Sequence, residues 1–140
     1  TDLAIEALEG ALAVNRRSYP WEVAEYRSVL LRKALYAEGY DAMARVYTDI
    51  RAEDSGAYNE GVLNALGYDL LFAGRTEDAI RVFTLNIETY PEYANGYDSL
   101  GEAYMKNGDN KRAIENYRKS LDLNPGNTNA QDMLEKLETE

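Results

Sequence analysis

EGVLNALGYDLLFAGRTEDAIRVFTLNIETYPEY, residues 60–93, is followed without a break by ANGYDSLGEAYMKNGDNKRAIENYRKSLDLNPGN, residues 94–127. Laid one above the other, the two lines pair Leu66 with Leu100, Gly67 with Gly101, Gly74 with Gly108, Ala79 with Ala113, Phe83 with Tyr117 and Pro91 with Pro125, each 34 residues apart. A fixed period of this size marks a stacked repeat, in which each unit is too small to bury its own apolar face and must pack on its neighbour.

The recurring residues say what one unit contains. Leu63/Leu66/Leu70 and Tyr97/Leu100/Tyr104 are apolar stripes at helical spacing. Gly67 and Gly101 fall inside those helices, where glycine costs about 1 kcal/mol relative to alanine. A cost incurred twice implies a geometric need, and close approach of a partner helix is the natural one, with Ala79 and Ala113 as the matching small residues. Gly74 and Gly108 stand where a left-handed residue ends a helix cheaply. Thr76 and Asp109 then stand as N-caps, and Glu77 and Asp78 suit a first turn. Pro91 and Pro125 end each second helix, since proline cannot continue the hydrogen-bond ladder.

These residues resemble the tetratricopeptide repeat family. The second copy is the closer match, with Tyr97 in the family's Trp slot, followed by Leu100, Gly101, Tyr104, Gly108, Ala113, Tyr117 and Pro125. The first copy departs at Leu63 and Leu70, where aromatics are usual, and at Asn86, where a small residue is usual; Ser120 is the milder counterpart. The resemblance implies an all-α, right-handed superhelix, a solenoid of antiparallel helix pairs with about eight helices.

Outside the two copies the pattern loosens. Residues 2–16 read as a helix with Ile5, Leu8 and Leu12 on one stripe, inside an N-terminal segment 1–19. Residues 20–59 form a degenerate repeat: a helix opening at Pro20 and running to about Ala37, with Val23, Tyr26, Leu30 and Ala34 inward, then a partner over 41–52. Trp21 is assigned to the seam between units. Residues 128–140 make a terminal helix with Ala130, Met133, Leu134 and Leu137 on one face and charges on the other; Thr128 and Gln131 have capping-box spacing. The whole, 1–140, reads as one repeat domain with pairs at 60–93 and 94–127.

Composition narrows the chemistry. With no His there is no imidazole base, triad or histidine metal ligand, and with no Cys no thiolate site or disulfide. The glycines fall on repeat slots rather than in a phosphate-binding loop. Asp98 and Glu102 stand one turn apart, but a hard-cation site needs more converging oxygens. No cofactor, metal or catalytic residue is expected. A net charge of −10 disfavours nucleic acid and anionic membrane surfaces as partners. What remains is a protein or peptide, and a basic or neutral one suits the charge.

The family resemblance implies where such a partner would lie. The first helix of each pair lines the family's peptide groove, which places Asn64, Tyr68 and Leu71 in one rung and Asp98, Glu102 and Met105 in the next. Members that clamp a C-terminal carboxylate use basic and amide groups there. Here those slots hold Gly61, Asn64, Ala65, Tyr68, Asn95, Asp98, Ser99 and Glu102, none of them basic, so that specialisation is not expected.

Residues 25–137 also resemble the repeat tail of bacterial serine hydrolases of the beta-lactamase-related class, in the phrasing of Asn64–Tyr68 and Tyr97–Tyr104. The Ser-x-x-Lys nucleophile of those enzymes is absent, so the implied role would be an accessory module linked to a catalytic domain. The chain starts at Thr1 rather than Met, which reads as a processed or excised product. A free-standing scaffold would fit the cytoplasm, and a hydrolase tail the periplasm or export. The absence of Cys leaves both open.

Overall fold

The computed structural model describes residues 20–140, with side-chain surroundings from residue 25 onward. The helix expected over 2–16 lies outside the described residues, and the inward or seam assignments of Trp21 and Val23 lie outside the described side chains. Seven α-helices make up the described chain: α1 (Pro20–Glu38), α2 (Tyr40–Glu53), α3 (Glu60–Phe72), α4 (Thr76–Thr89), α5 (Ala94–Lys106), α6 (Asn110–Leu123) and α7 (Thr128–Thr139). Among the described residues none is a strand, and no helix is long and apolar enough to cross a membrane. The chain is all-α, with its helices in antiparallel succession. The described residues divide into two compact units, one ending at Val62 and the other running from Leu63 to Glu140, the division falling in the first turn of α3.

In the first unit α1 packs on α2. Leu30, Leu31, Ala34 and Leu35 from α1 are buried, as are Ala42, Met43, Val46, Tyr47 and Ile50 from α2. The stripe on α1 is wider than the expected Tyr26, Leu30 and Ala34, and Tyr26 is only half-buried. The segment after α2 is tied to α1: Arg27 Nη1 pairs with Asp54 Oδ2 at 2.9 Å, and the buried Tyr58 donates to the Arg27 carbonyl. Tyr58 also stacks on Tyr47, with ring centroids 5.1 Å apart.

In the second unit α4 packs on α5, α5 on α6, and α6 on α7. Both predicted helix ends at glycine are present. Gly74 and Gly108 take φ of 77° and 81°, the left-handed region that a side chain would strain. Each closes a Schellman motif: Gly74 N–H reaches the Leu71 carbonyl and Arg75 N–H the Leu70 carbonyl, and Gly108 and Asp109 repeat this on Met105 and Tyr104. The helices α4 and α6 end two residues before Pro91 and Pro125, and Tyr90 and Asn124 leave the helical region that a following proline disfavours.

The glycines inside the helices answer to a different neighbour from the one expected. A methyl group on Gly67 would stand 2.3 Å from Cε1 of Phe83, and one on Gly101 3.1 Å from the Tyr117 ring. Ala79 and Ala113 are fully buried, yet it is the aromatic one turn further along the second helix that needs the space. Two caps also move by one residue. Arg75, not Thr76, is the N-cap of α4 and makes no side-chain cap bond; Asn127, not Thr128, caps α7 by accepting from Ala130 N–H. Gln131 turns back to the Pro125 carbonyl instead of closing a capping box. Asp109 caps α6 as expected, accepting from Arg112 N–H at 3.1 Å.

Candidate functional site

The face of the second unit formed by α3 and α5 carries the six residues singled out above. The period of 34 brings Tyr68 and Glu102 together, since it sets the same slot of neighbouring repeats side by side. The Tyr68 hydroxyl donates to Glu102 Oε2 at 3.0 Å. Asn64 meets Ser99, not Asp98, in a 2.8 Å hydrogen bond. Asp98 turns toward α7: Asn129 Nδ2 spans its two oxygens at 3.1 and 3.0 Å, and Asn127 Nδ2 lies 3.2 Å from Oδ1. Asn127 also donates to Ser120, whose hydroxyl reaches the Ala94 carbonyl, so the cap of α7, α6 and the start of α5 share one polar network.

The apolar members are placed differently. Leu71 is 5% exposed and packs in the core, so it offers a partner little surface. Met105 is half-buried against the cluster of Ala113, Tyr117, Ala130, Leu134 and Leu137. The exposed apolar group on this face is Phe72, one residue beyond Leu71 and 75% exposed. Its ring stacks on Tyr68 at 5.8 Å, and Tyr68 meets Phe83 edge-on at 5.3 Å. Lys106 completes the face, with Nζ 3.4 Å from Glu102 Oε1 and 5.3 Å from the Phe72 centroid.

Sequence reasoning missed Phe72, Lys106, Asn127 and Asn129. Phe72 and Lys106 lie at 34-residue spacing, and the period alone would have found that pair. Asn127 closes the second copy and Asn129 stands 34 residues after Asn95, but the period does not say that either side chain turns onto Asp98.

Electrostatically the face is negative and partly dry. Burial, helped by the neighbouring Glu102 and opposed by Asn129 and Asn127, raises the Asp98 carboxyl above its ordinary value. Burial also pushes the Tyr68 hydroxyl up to about 12, with the Glu102 and Asp98 carboxylates adding to it and Ser99 opposing, so it remains a donor at neutral pH. Tyr117 is raised further, by burial and then by Asp98, Glu102 and Tyr68. Its hydroxyl is buried and has no hydrogen-bond partner. Among the described residues no cation pairs with Asp98, and no group of three or more acidic side chains is placed to hold a metal ion.

Residues 94–127, the pair α5–α6, match the family model of the tetratricopeptide repeat. These residues are a tetratricopeptide repeat. The described fold agrees beyond that repeat. The first tetratricopeptide-repeat domain of Spaghetti (RPAP3), solved with the HSP90 peptide SRMEEVD, is 21% identical and superposes with a TM-score of 0.59 over 83% of this chain and 90% of its own. The Arabidopsis OM64 tetratricopeptide-repeat domain is 18% identical at 0.60, over 85% and 97%. MamA is 20% identical at 0.60, over 83% and 67%. At these identities the likeness is one of fold. No curated protein matches the chain, and none of these matches bears on the resemblance to a hydrolase tail.

Proposed function

We propose that the chain is a non-enzymatic scaffold that binds a peptide or protein segment along the face formed by α3 and α5. The observation that carries this reading is a surface pairing an exposed aromatic with half-buried polar groups. Phe72 stacks on Tyr68 and lies under Lys106, and Glu102 and Asn64 add polar groups along the same first helices of consecutive helix pairs. Such a mixture gives an extended segment both an apolar contact and hydrogen-bond partners. Two structures of similar fold are described as holding a peptide, from HSP90 and from HSP70, so the architecture accepts such ligands.

The peptide SRMEEVD in one of them is acidic, whereas Asp98 and Glu102 make the present face negative. A ligand of the opposite or of no charge follows. No observation favours the alternative of a hydrolase accessory module.

The test is selection from a random 12-residue peptide library displayed on phage, using the whole chain as bait. Selected peptides are then titrated into isotope-labelled protein. Shifts should concentrate on Asn64, Tyr68, Phe72 and Glu102. Selection of no peptide, or shifts confined to the outer surfaces of α4 and α6, would overturn the reading.

A further inference from the structure

Glu102 is already a cation receptor. Lys106 from its own helix sits against it and over the Phe72 ring, combining an ion pair with a cation–π contact. Yet the ion pair is long at 3.4 Å, and the lysine side chain is 41% exposed. It is held loosely and can be displaced.

Next to it, one turn earlier on α5, Asp98 is 6% exposed, and its hydrogen-bond partners are neutral amides. An ionised carboxylate offers about four acceptor positions. Asp98 Oδ1 receives two donors, but Oδ2 receives only the shared Asn129 bond. Glu102 Oε2 receives Tyr68, and Oε1 only the distant Lys106. Beneath them the fully buried Tyr117 hydroxyl lacks a partner and lies within the electrostatic reach of both carboxylates. Two carboxyl groups one helical turn apart and a buried hydroxyl that interacts with both therefore hold unused acceptor capacity. An ammonium or guanidinium supplies several donors and the missing charge together.

We infer that Asp98 and Glu102, flanked by the Tyr68–Phe72 ring pair, receive a lysine or arginine side chain of a partner segment whose neighbouring residue is apolar, an inference that rests on the peptide-binding role proposed above. The cation would take the place of Lys106, and the apolar neighbour would cover the exposed face of Phe72. A second copy of this chain is a poor occupant, since both copies carry a net charge of −10.

The experiment uses the whole chain and three matched sets of 12-residue peptides, alike except for a central Arg-Leu, Gln-Leu or Glu-Leu pair. Affinities are measured by fluorescence anisotropy at low and moderate salt. The Arg set should bind at least tenfold tighter than the Gln set, with the advantage shrinking as salt is added. Glu102→Lys should lose tenfold or more for the Arg set. Glu102→Gln, which keeps an acceptor for Tyr68, guards against a folding defect and should lose a smaller factor. Glu115→Lys, an exposed reversal on α6, should change little.

The sharpest arm is Lys106→Met. Removing the resident competitor should tighten Arg-set binding severalfold. Equal binding of the Arg and Gln sets, both weakened by Tyr68→Ala, would overturn the cation receptor and leave the peptide face standing. Weakening of the Arg set by Lys106→Met would also overturn it. Failure of all three sets to bind would overturn the peptide reading itself.

Discussion

Where α4 buries Phe83, α6 buries Tyr117, one period later, and the two rings fill the same slot against a helical glycine. The fit differs. A methyl group on Gly67 would lie 2.3 Å from the Phe83 ring, against 3.1 Å between Gly101 and Tyr117. The chemistry differs too: the second repeat adds a hydroxyl that finds no partner, close to the carboxylates of α5. The first repeat is the tighter in packing at this slot, and the second carries the hydroxyl there. At this slot, then, one copy is filled by tight apolar packing and the other by a ring whose hydroxyl is left without a partner.

The largest test of this contrast is the pair Gly67→Ala and Gly101→Ala. Forcing a methyl group into a buried ring is overpacking, which costs about 3 kcal/mol at a site this tight, while the gain in helix propensity returns about 1 kcal/mol. Gly67→Ala should therefore destabilise by about 2 kcal/mol. At Gly101 the ring need give only slightly, so the two effects nearly cancel and the change should stay within about 0.5 kcal/mol. Chemical denaturation of both variants reads the difference. Equal losses would show that the two slots pack alike.

Exchanging the rings comes next. Tyr117→Phe deletes a buried hydroxyl that has no partner and should stabilise by about 1 kcal/mol, and Phe83→Tyr should lose about as much. Destabilisation by Tyr117→Phe would mean that the hydroxyl is satisfied in the folded protein, and would remove one support of the cation receptor.

The helix starts differ as well, with a smaller consequence. Asp109 accepts from Arg112 N–H, whereas Arg75 makes no side-chain cap bond and pairs with Asp78 at 2.7 Å. Asp109→Ala should cost about 1 kcal/mol as a lost N-cap, and Arg75→Ala about 0.3 kcal/mol as a surface ion pair. Comparable losses in the two would make the Arg75–Asp78 pair an effective substitute for a cap.

Much of this scaffold was legible before any coordinates. Gly74, Gly108, Pro91, Pro125 and Asp109 announce themselves because each satisfies a local backbone requirement that few other residues meet. The 34-residue period placed Tyr68 against Glu102 because stacking sets equal slots side by side. Distinctions that depend on side-chain packing were not legible. Leu71 and Phe72 are adjacent apolar residues at a helix end, and only the packing decides that the first is buried and the second exposed. Asp98 reads as a groove carboxylate, yet Asn127 and Asn129, the cap and first turn of the terminal helix, turn it aside. Local rules reach the frame and stop short of the site.

The smallest expected signal comes from Asp98 itself. Its counterpart 34 residues earlier is Asn64, a neutral residue, so the second repeat buries a charge where the first does not. Because burial raises the folded-state value above that of the unfolded chain, the folded protein binds more protons between the two values. Stability should therefore fall as pH rises through that window, on a shallow slope, and stay reduced above it. Asp98→Asn removes the charge while its carbonyl can hold the Oδ1 position, which takes bonds from both Asn127 and Asn129. The variant should be at least as stable as the natural chain at neutral pH, with the difference closing toward the acid end of the window. Denaturation midpoints from pH 3 to 8 on both proteins would show it. A natural chain that gains on the variant as pH rises would mean that Asp98 is well paired as a carboxylate, with no charge left over for a partner to neutralise.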